Sequence, residues 1–289
     1  MDGVIAAVPT PVNENLTPIR DLFAEHCKWA LANGCDGLNI LGSTGEANSF
    51  DGSARRDVMG WAVETLPTDR LMVGTGTPSL ADTIALTKHA DDLGYGVALV
   101  LPPYYYTPAS DEGLIGWYMA LHEALGKRKI QVYFYNFPQM TGITIPVHVI
   151  ADLAARASDR FTGIKDSSGD LDYGRAVVAA NSALRVFPSS ETALESAAVD
   201  GFAGCISASV NITGPLAAQI WADRAAPPAD LCAQIAHQRA LIASPTLIAG
   251  IKYLVGARSG DARWHRVLPP FVSLSRDAGQ DLLQSLGEG

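Results

Sequence analysis

The stretch Phe161 to Asp170, FTGIKDSSGD, places a lysine at the end of a short apolar run. Runs of that kind become buried strands, and lysine is among the residues least often fully buried. The chain has six lysines. Five of them, Lys28, Lys88, Lys127, Lys129 and Lys252, read as helix-surface or turn positions, and Lys165 alone ends an expected strand. Burial disfavours an ammonium, and an unprotonated amine attacks carbonyls to form a Schiff base. The plainer reading is a structural ion pair, with the adjacent Asp166 as partner. Tyr135 ends another apolar run, where a phenol can pass protons or serve as a core aromatic. Ser43, Thr44 and Gly45 lie where a run turns into the next segment. Successive backbone N–H groups and two hydroxyls at a helix N-terminus suit a carboxylate. The same residues also fit an ordinary cap with Glu46 as its acid. Gly42 to Gly45 does not fit the GxSxG nucleophile elbow, and GTGTP at 74–78 lacks the GxGxxG frame.

The elements that must carry these groups repeat. Short β-rich runs occur at Val4–Val8, Gly37–Leu41, Leu71–Gly74, Val97–Leu101, Ile130–Tyr135, Phe161–Lys165, Arg185–Phe187 and Gly204–Ser207. Helical patterns separate them: Ile19–Asn33, Gly52–Thr65, Leu80–Leu93, Asp111–Leu125, Pro146–Ala157, Tyr173–Asn181, Glu191–Asp200 and Pro215–Ala222. Strands alternating with helices predict parallel βαβ units, and eight of them predict an α/β fold, a (β/α)8 TIM barrel occupying 1–225. Residues 226–289 read as a C-terminal helical region packed on the barrel or shaping an oligomer interface, interrupted near Ser244-Pro245, with a final helix within Arg266 to Leu286 after a Pro269-Pro270 break. In such a barrel catalytic groups lie just beyond the C-terminal ends of the strands. The segments GSTGE, PPYYYTP, YFYNFPQMTG, PSSET and SASVN, with Lys165, fall at that rim.

Composition narrows the function classes. The chain has 289 residues, 48% of them hydrophobic, and a formal net charge of −9. Its one dense basic stretch, 126–129, reads as a turn, so the basic stripe of a nucleic-acid surface is missing. No apolar run reaches membrane-spanning length and no cationic leader opens the sequence, which makes a reducing cytoplasm the simplest location. Cys27, Cys35, Cys205 and Cys232 lack metal-ligand spacing and read as small buried hydrophobes. The Asn211-Ile212-Thr213 sequon then carries no modification.

GSTGE at 42–46, YN and Pro138 with the TG pair at 141–142, and GIKDSSGD at 163–170, in this order and spacing, resemble the dihydrodipicolinate synthase / N-acetylneuraminate lyase family. The resemblance runs from about Gly3 to Pro215. It implies class I chemistry in a (β/α)8 barrel, a homotetramer, and no metal or organic cofactor. By the same resemblance Lys165 forms the Schiff base with pyruvate or another 2-keto acid, Tyr135 shuttles protons and Thr44 relays them. Ser43 and Thr44, beside Gly45, hold the keto acid's carboxylate. Tyr105, flanked by Tyr104 and Tyr106, matches an aromatic that reaches into a neighbouring subunit's site.

The departures sort the members. Dihydrodipicolinate synthases carry an arginine for the second substrate's carboxylate where this chain has Met140. Sialic-acid lyases carry an acidic pair where this chain has Glu191 and Thr192. YNFP followed by TG, together with ISAS at 206–209, is most similar to aldolases of 2-keto-3-deoxy sugar acids. Glu191, Ile206, Ser207 and Ser209 would then face the sugar, unless the polar three merely cap helices. The expected reaction is reversible cleavage of such an acid to pyruvate and a hydroxyaldehyde. A dehydratase starting from the same Schiff base and a keto-acid-binding protein without turnover are the alternatives.

Overall fold

The computed structural model describes residues 1–243 and 246–287. Eight parallel strands alternate with helices: β1 Gly3–Ala7, β2 Gly37–Ile40, β3 Leu71–Gly74, β4 Val97–Val100, β5 Gln131–Asn136, β6 Phe161–Asp166, β7 Arg185–Pro188 and β8 Gly204–Ser207. They pair in the order β7-β6-β5-β4-β3-β2-β1-β8. The seam between β7 and β8 is bridged by Ala203, whose N–H donates to the Val186 carbonyl at 2.9 Å. The expected α/β TIM barrel is what the chain forms, nearly closed.

Side chains alternate across each strand. One set, including Val4, Leu38, Ile40, Val73, Phe134 and Ile164, packs outward against the helices. The other, including Ile5, Met72, Leu99, Tyr133 and Phe187, fills the barrel. The alternation decides where β6 sends its lysine. Ile164 faces the helices, so Gly163 and Lys165 face inward. Gly163 is small there for a reason: a Cβ would come within 2.9 Å of the Tyr133 ring.

Strand positions match expectation within a residue or two, and the helices differ more. The segment expected as one helix over Glu191–Asp200 is a 3-10 turn, Glu191–Glu195, followed by a short helix, Ala197–Asp200. The helix expected from Pro215 begins at Val210. Proline lacks the N–H that would bond four residues back, and the Asn211 carbonyl left over accepts instead from Arg258 Nη1 at 3.1 Å. Helices Ala229–Ala243 and Leu247–Ser259 follow. The expected interruption at Ser244-Pro245 lies outside the described residues. The last helix starts later than expected, at Arg276, where Ser275 Oγ caps the Ala278 N–H at 3.2 Å.

These last helices share a core with the barrel. Ile242, Ile251, Leu254 and Trp264 cluster with Leu22 and Ala208, and the Trp264 ring meets His26 edge-on at 5.3 Å. Lys252, expected at a helix surface, is fully buried. Its helix is apolar on every side around LIAGIKYLVG, which is the pattern of a buried helix and not of a surface one. The sequon asparagine is also fully buried. Asn211 Nδ2 donates to the carbonyls of Ala7 and Ala208, and its Oδ1 meets His26 Nε2 at 2.8 Å. All four cysteines are buried free thiols, and burial raises the pKa of each.

Candidate active site

The pairing register sets Tyr135 directly beside Lys165, and Asn136 beside Asp166. Because side chains alternate, the first pair points into the barrel mouth and the second outward. Asp166 is therefore turned away from Lys165. Its carboxylate accepts from Asn136 Nδ2 at 2.7 Å, from Ser168 Oγ at 2.7 Å and from the Ser168 N–H at 3.2 Å. Burial raises its pKa against the pull of those bonds. Among the described residues no carboxylate lies within ion-pair distance of Lys165, so the alternative reading of a structural pair with Asp166 does not hold. Lys165 is 4% exposed, and its Nζ sits 4.5 Å from the centre of the Tyr135 ring.

Lys165, Tyr135, Ser43, Thr44 and Ile206 line one cavity of about 520 Å³ at the C-terminal ends of the strands. Tyr135 stacks on Phe137 with centroids 5.7 Å apart. Its hydroxyl lies 3.3 Å from Ser43 Oγ. Thr44 was the expected hydroxyl partner of Tyr135, but the contact among the described residues belongs to Ser43. Thr44 stands next to it, buried, on the cavity wall. Gly45 lies behind the wall, where a Cβ would come within 3.1 Å of the Val8 carbonyl.

The expected helix N-terminus at this loop is only a 3-10 turn, Ala47–Ser49. The next α-helix starts at Gly52, and its cap is Asp51, which accepts from the Ala54 N–H at 2.8 Å. Glu46 is not a capping acid. It is buried, adopts φ of 55°, and forms an ion pair with Lys252.

Glu191 and Ser207 are both fully buried, in a network that meets the cavity through Arg239, a residue that sequence reasoning missed. Glu191 Oε2 accepts from Ser207 Oγ at 2.6 Å, Ser209 Oγ at 2.8 Å and Arg239 Nη1 at 2.9 Å, and Oε1 accepts from Thr213 Oγ1 at 2.8 Å. Both carboxylate oxygens are thus engaged. Arg239 Nη1 also reaches Ser207 Oγ at 3.1 Å, and the guanidinium is held on the cavity wall. Arg239 sits in AHQRALIA, a stretch that by spacing alone is an unremarkable helix turn.

Ser167, Ser168, Ser189 and Gln139 also line the cavity, and Met140 stands 65% exposed at its edge. Tyr105 is 76% exposed and packs edge-on against Tyr106 at 5.2 Å, outside this cavity. Tyr104 is half-buried and lines a smaller adjoining pocket with Met140 and Phe271. No group of three or more His, Cys, Asp or Glu residues that could hold a metal occurs among the described residues.

The arrangement is a buried amine beside a phenol, with Ser43, Thr44 and further serines lining the same cavity. The chain is 31% identical to the 4-hydroxy-tetrahydrodipicolinate synthase of Rhodospirillum centenum, over 99% of this chain and 98% of that one. It is 32% identical to an uncharacterized DapA-like lyase of Chloroflexus aurantiacus over 207 residues, 71% of this chain and 69% of that one. The crystal structure of dihydrodipicolinate synthase from Agrobacterium tumefaciens superimposes with a TM-score of 0.92 at 25% identity, covering 99% of each chain. The model of the dihydrodipicolinate synthetase family matches residues 1–288, and the chain belongs to that family, whose members are class I pyruvate-dependent lyases.

Proposed function

We propose that this protein reversibly cleaves a 2-keto-3-deoxy sugar acid to pyruvate and a hydroxyaldehyde. The observation that carries the chemistry is Lys165: a buried amine without a carboxylate partner among the described residues, beside the Tyr135 ring in a cavity large enough for such an acid. The Lys165 amine adds to the C2 carbonyl, and loss of water leaves an iminium. The C3–C4 bond then breaks, its electron pair entering the iminium to give an enamine. Tyr135 takes the C4 hydroxyl proton as the aldehyde leaves, and Ser43, within hydrogen-bond distance of the phenol, passes protons onward. Protonation of the enamine at C3 and hydrolysis release pyruvate and restore Lys165. Ser43 and Thr44 hold the keto acid's carboxylate, with Gly45 shaping their loop, and Ile206 packs against its carbon chain. Glu191 and Ser207 serve the sugar portion through Arg239, and the cavity serines meet its hydroxyls.

Met140 at the cavity edge favours this reading over the synthase activity named for the Rhodospirillum relative, because a thioether cannot receive a second carboxylate. In the homotetramer we propose, exposed Tyr105 is placed to reach a neighbouring copy. The test is a product assay on five- and six-carbon 2-keto-3-deoxy acids, with pyruvate plus aspartate semialdehyde as a further arm and Lys165→Ala as control. Pyruvate released with equimolar aldehyde, and absent in the control, supports the aldolase. Loss of substrate to a dehydrated keto acid without pyruvate makes the protein a dehydratase. Condensation with the semialdehyde makes it a synthase. A borohydride-trapped pyruvate adduct without turnover of any substrate leaves a keto-acid-binding protein.

A further inference from the structure

Two residues other than glycine bracket the loop 42–45 in the left-handed region: Leu41 with φ of 53° and Glu46 with φ of 55°. Such conformations cost free energy and persist only where surrounding structure imposes them. The loop's own bonds are modest. Glu46 N–H donates to the Ser43 carbonyl at 3.0 Å and Ala47 N–H to the Gly42 carbonyl at 3.3 Å. The stronger restraint comes from more than 200 residues away in sequence. Glu46 is 3% exposed; one of its oxygens is ion-paired with Lys252 Nζ and the other accepts from the Leu268 N–H at 2.5 Å. Lys252 Nζ also donates to the Arg266 carbonyl at 2.9 Å.

Each anchored segment contributes to the cavity. Lys252 lies on the helix whose first residues, Leu247 to Ala249, line it, and Leu268 precedes Phe271 and Val272, which also line it. One carboxylate therefore ties the Ser43-Thr44 loop, the helix wall and the 266–272 segment together.

We propose that the Glu46–Lys252 pair is a positioning latch for the keto-acid subsite: the C-terminal helices set the loop's geometry and hence the affinity for the keto acid. Neither residue touches the reacting atoms. A buried pair with this role differs from one that only adds stability, because removing both charges should repair stability without repairing the loop.

The experiment compares wild type, Lys252→Met and the double variant Lys252→Met with Glu46→Gln. Lys252→Met leaves a buried carboxylate unpaired and is expected to lower the melting temperature. The double variant removes the stranded charge and recovers most of that loss. Two readouts then separate latch from simple support. The first is the pyruvate concentration giving half-maximal borohydride trapping at Lys165, which rests on the Schiff-base reading. It is expected to rise about tenfold in the double variant while the trapping rate at saturation changes little. The second is amide hydrogen exchange, which does not depend on that reading. Peptides covering 41–50 and 247–252 are expected to exchange together about tenfold faster, with Asp111–Leu125 unchanged. A recovered double variant with wild-type exchange in 41–50 overturns the latch, and so does wild-type half-saturation where trapping occurs. Should wild type fail to trap pyruvate, the Schiff-base reading falls, and the exchange result alone decides the latch.

Discussion

Lys165 and Lys252 are both withdrawn from water, one at a strand end in the barrel mouth and the other in the middle of a C-terminal helix. Lys252 has a carboxylate and a carbonyl for its ammonium, and burial lowers its pKa against the pull of Glu46. Lys165 has the face of a tyrosine ring, and the acid next to it in sequence is turned away and occupied by Asn136 and Ser168. Burial alone therefore does not distinguish the amine proposed to react from the one that is ion-paired. What separates the two is whether a partner has been supplied, and β-strand alternation withholds one from Lys165.

The contrast can be broken most directly by exchanging each lysine for methionine. Lys165→Met is expected to lower turnover by about 10⁴-fold or more with no loss of stability, since it replaces an amine without an ion partner by an apolar side chain. Lys252→Met is expected to cost about 3–5 kcal/mol of stability by stranding Glu46. Steady-state kinetics and urea denaturation of both variants decide it, and equal stability losses would erase the distinction. Tyr135→Phe sharpens the Lys165 side. Turnover should fall about 10²–10³-fold while pyruvate still labels Lys165 in borohydride. Loss of labelling would instead make the phenol necessary for forming the imine.

The smallest effect concerns a third buried base, His26. Burial, then the charge of Arg258, hold its pKa down to about 3, against the bond to Asn211. Arg258 donates to Nδ1 at 2.8 Å and Nε2 faces Asn211 Oδ1, so the ring is fixed neutral with its proton on Nε2. The folded pKa lies below the unfolded value near 6.5, so the unfolded chain takes up the proton first. Stability should then fall as pH drops from about 6.5 toward 3, by at most about 1.4 kcal/mol per unit from this group. Urea midpoints at pH 7 and 5 measure it, and His26→Gln should flatten the slope. An equal slope in that variant would assign the acid sensitivity elsewhere.

The barrel was legible because its signals are local: alternating strand runs such as Phe161–Lys165 carry their own inside and outside. Lys165 and Tyr135 were legible because they sit at strand ends, where register sets them side by side, and Ser43 and Thr44 because they lie in the loop that follows β2. Lys252 was misread although its all-apolar surroundings announced burial, because its partner, Glu46, lies 206 residues away. Arg239 left no trace, since only the folded chain shows Glu191, Ser207 and Ser209 converging on it. Glu191 read as a sugar contact because its own saturation by four donors is a property of three-dimensional neighbours. The helix start at Val210 was hidden by Pro215, a residue that usually opens helices and here sits inside one because Arg258 takes up the orphaned carbonyl.

The cysteines make the chain a convenient host for probes. Every native thiol is buried and held protonated, and it is the thiolate that reacts with alkylating reagents. A single cysteine placed at Val199, which is 92% exposed and stands apart from the cavity, would be the one fast-reacting site in the folded protein. A fluorophore or spin label could then be attached there without first stripping the native sulfurs from the core.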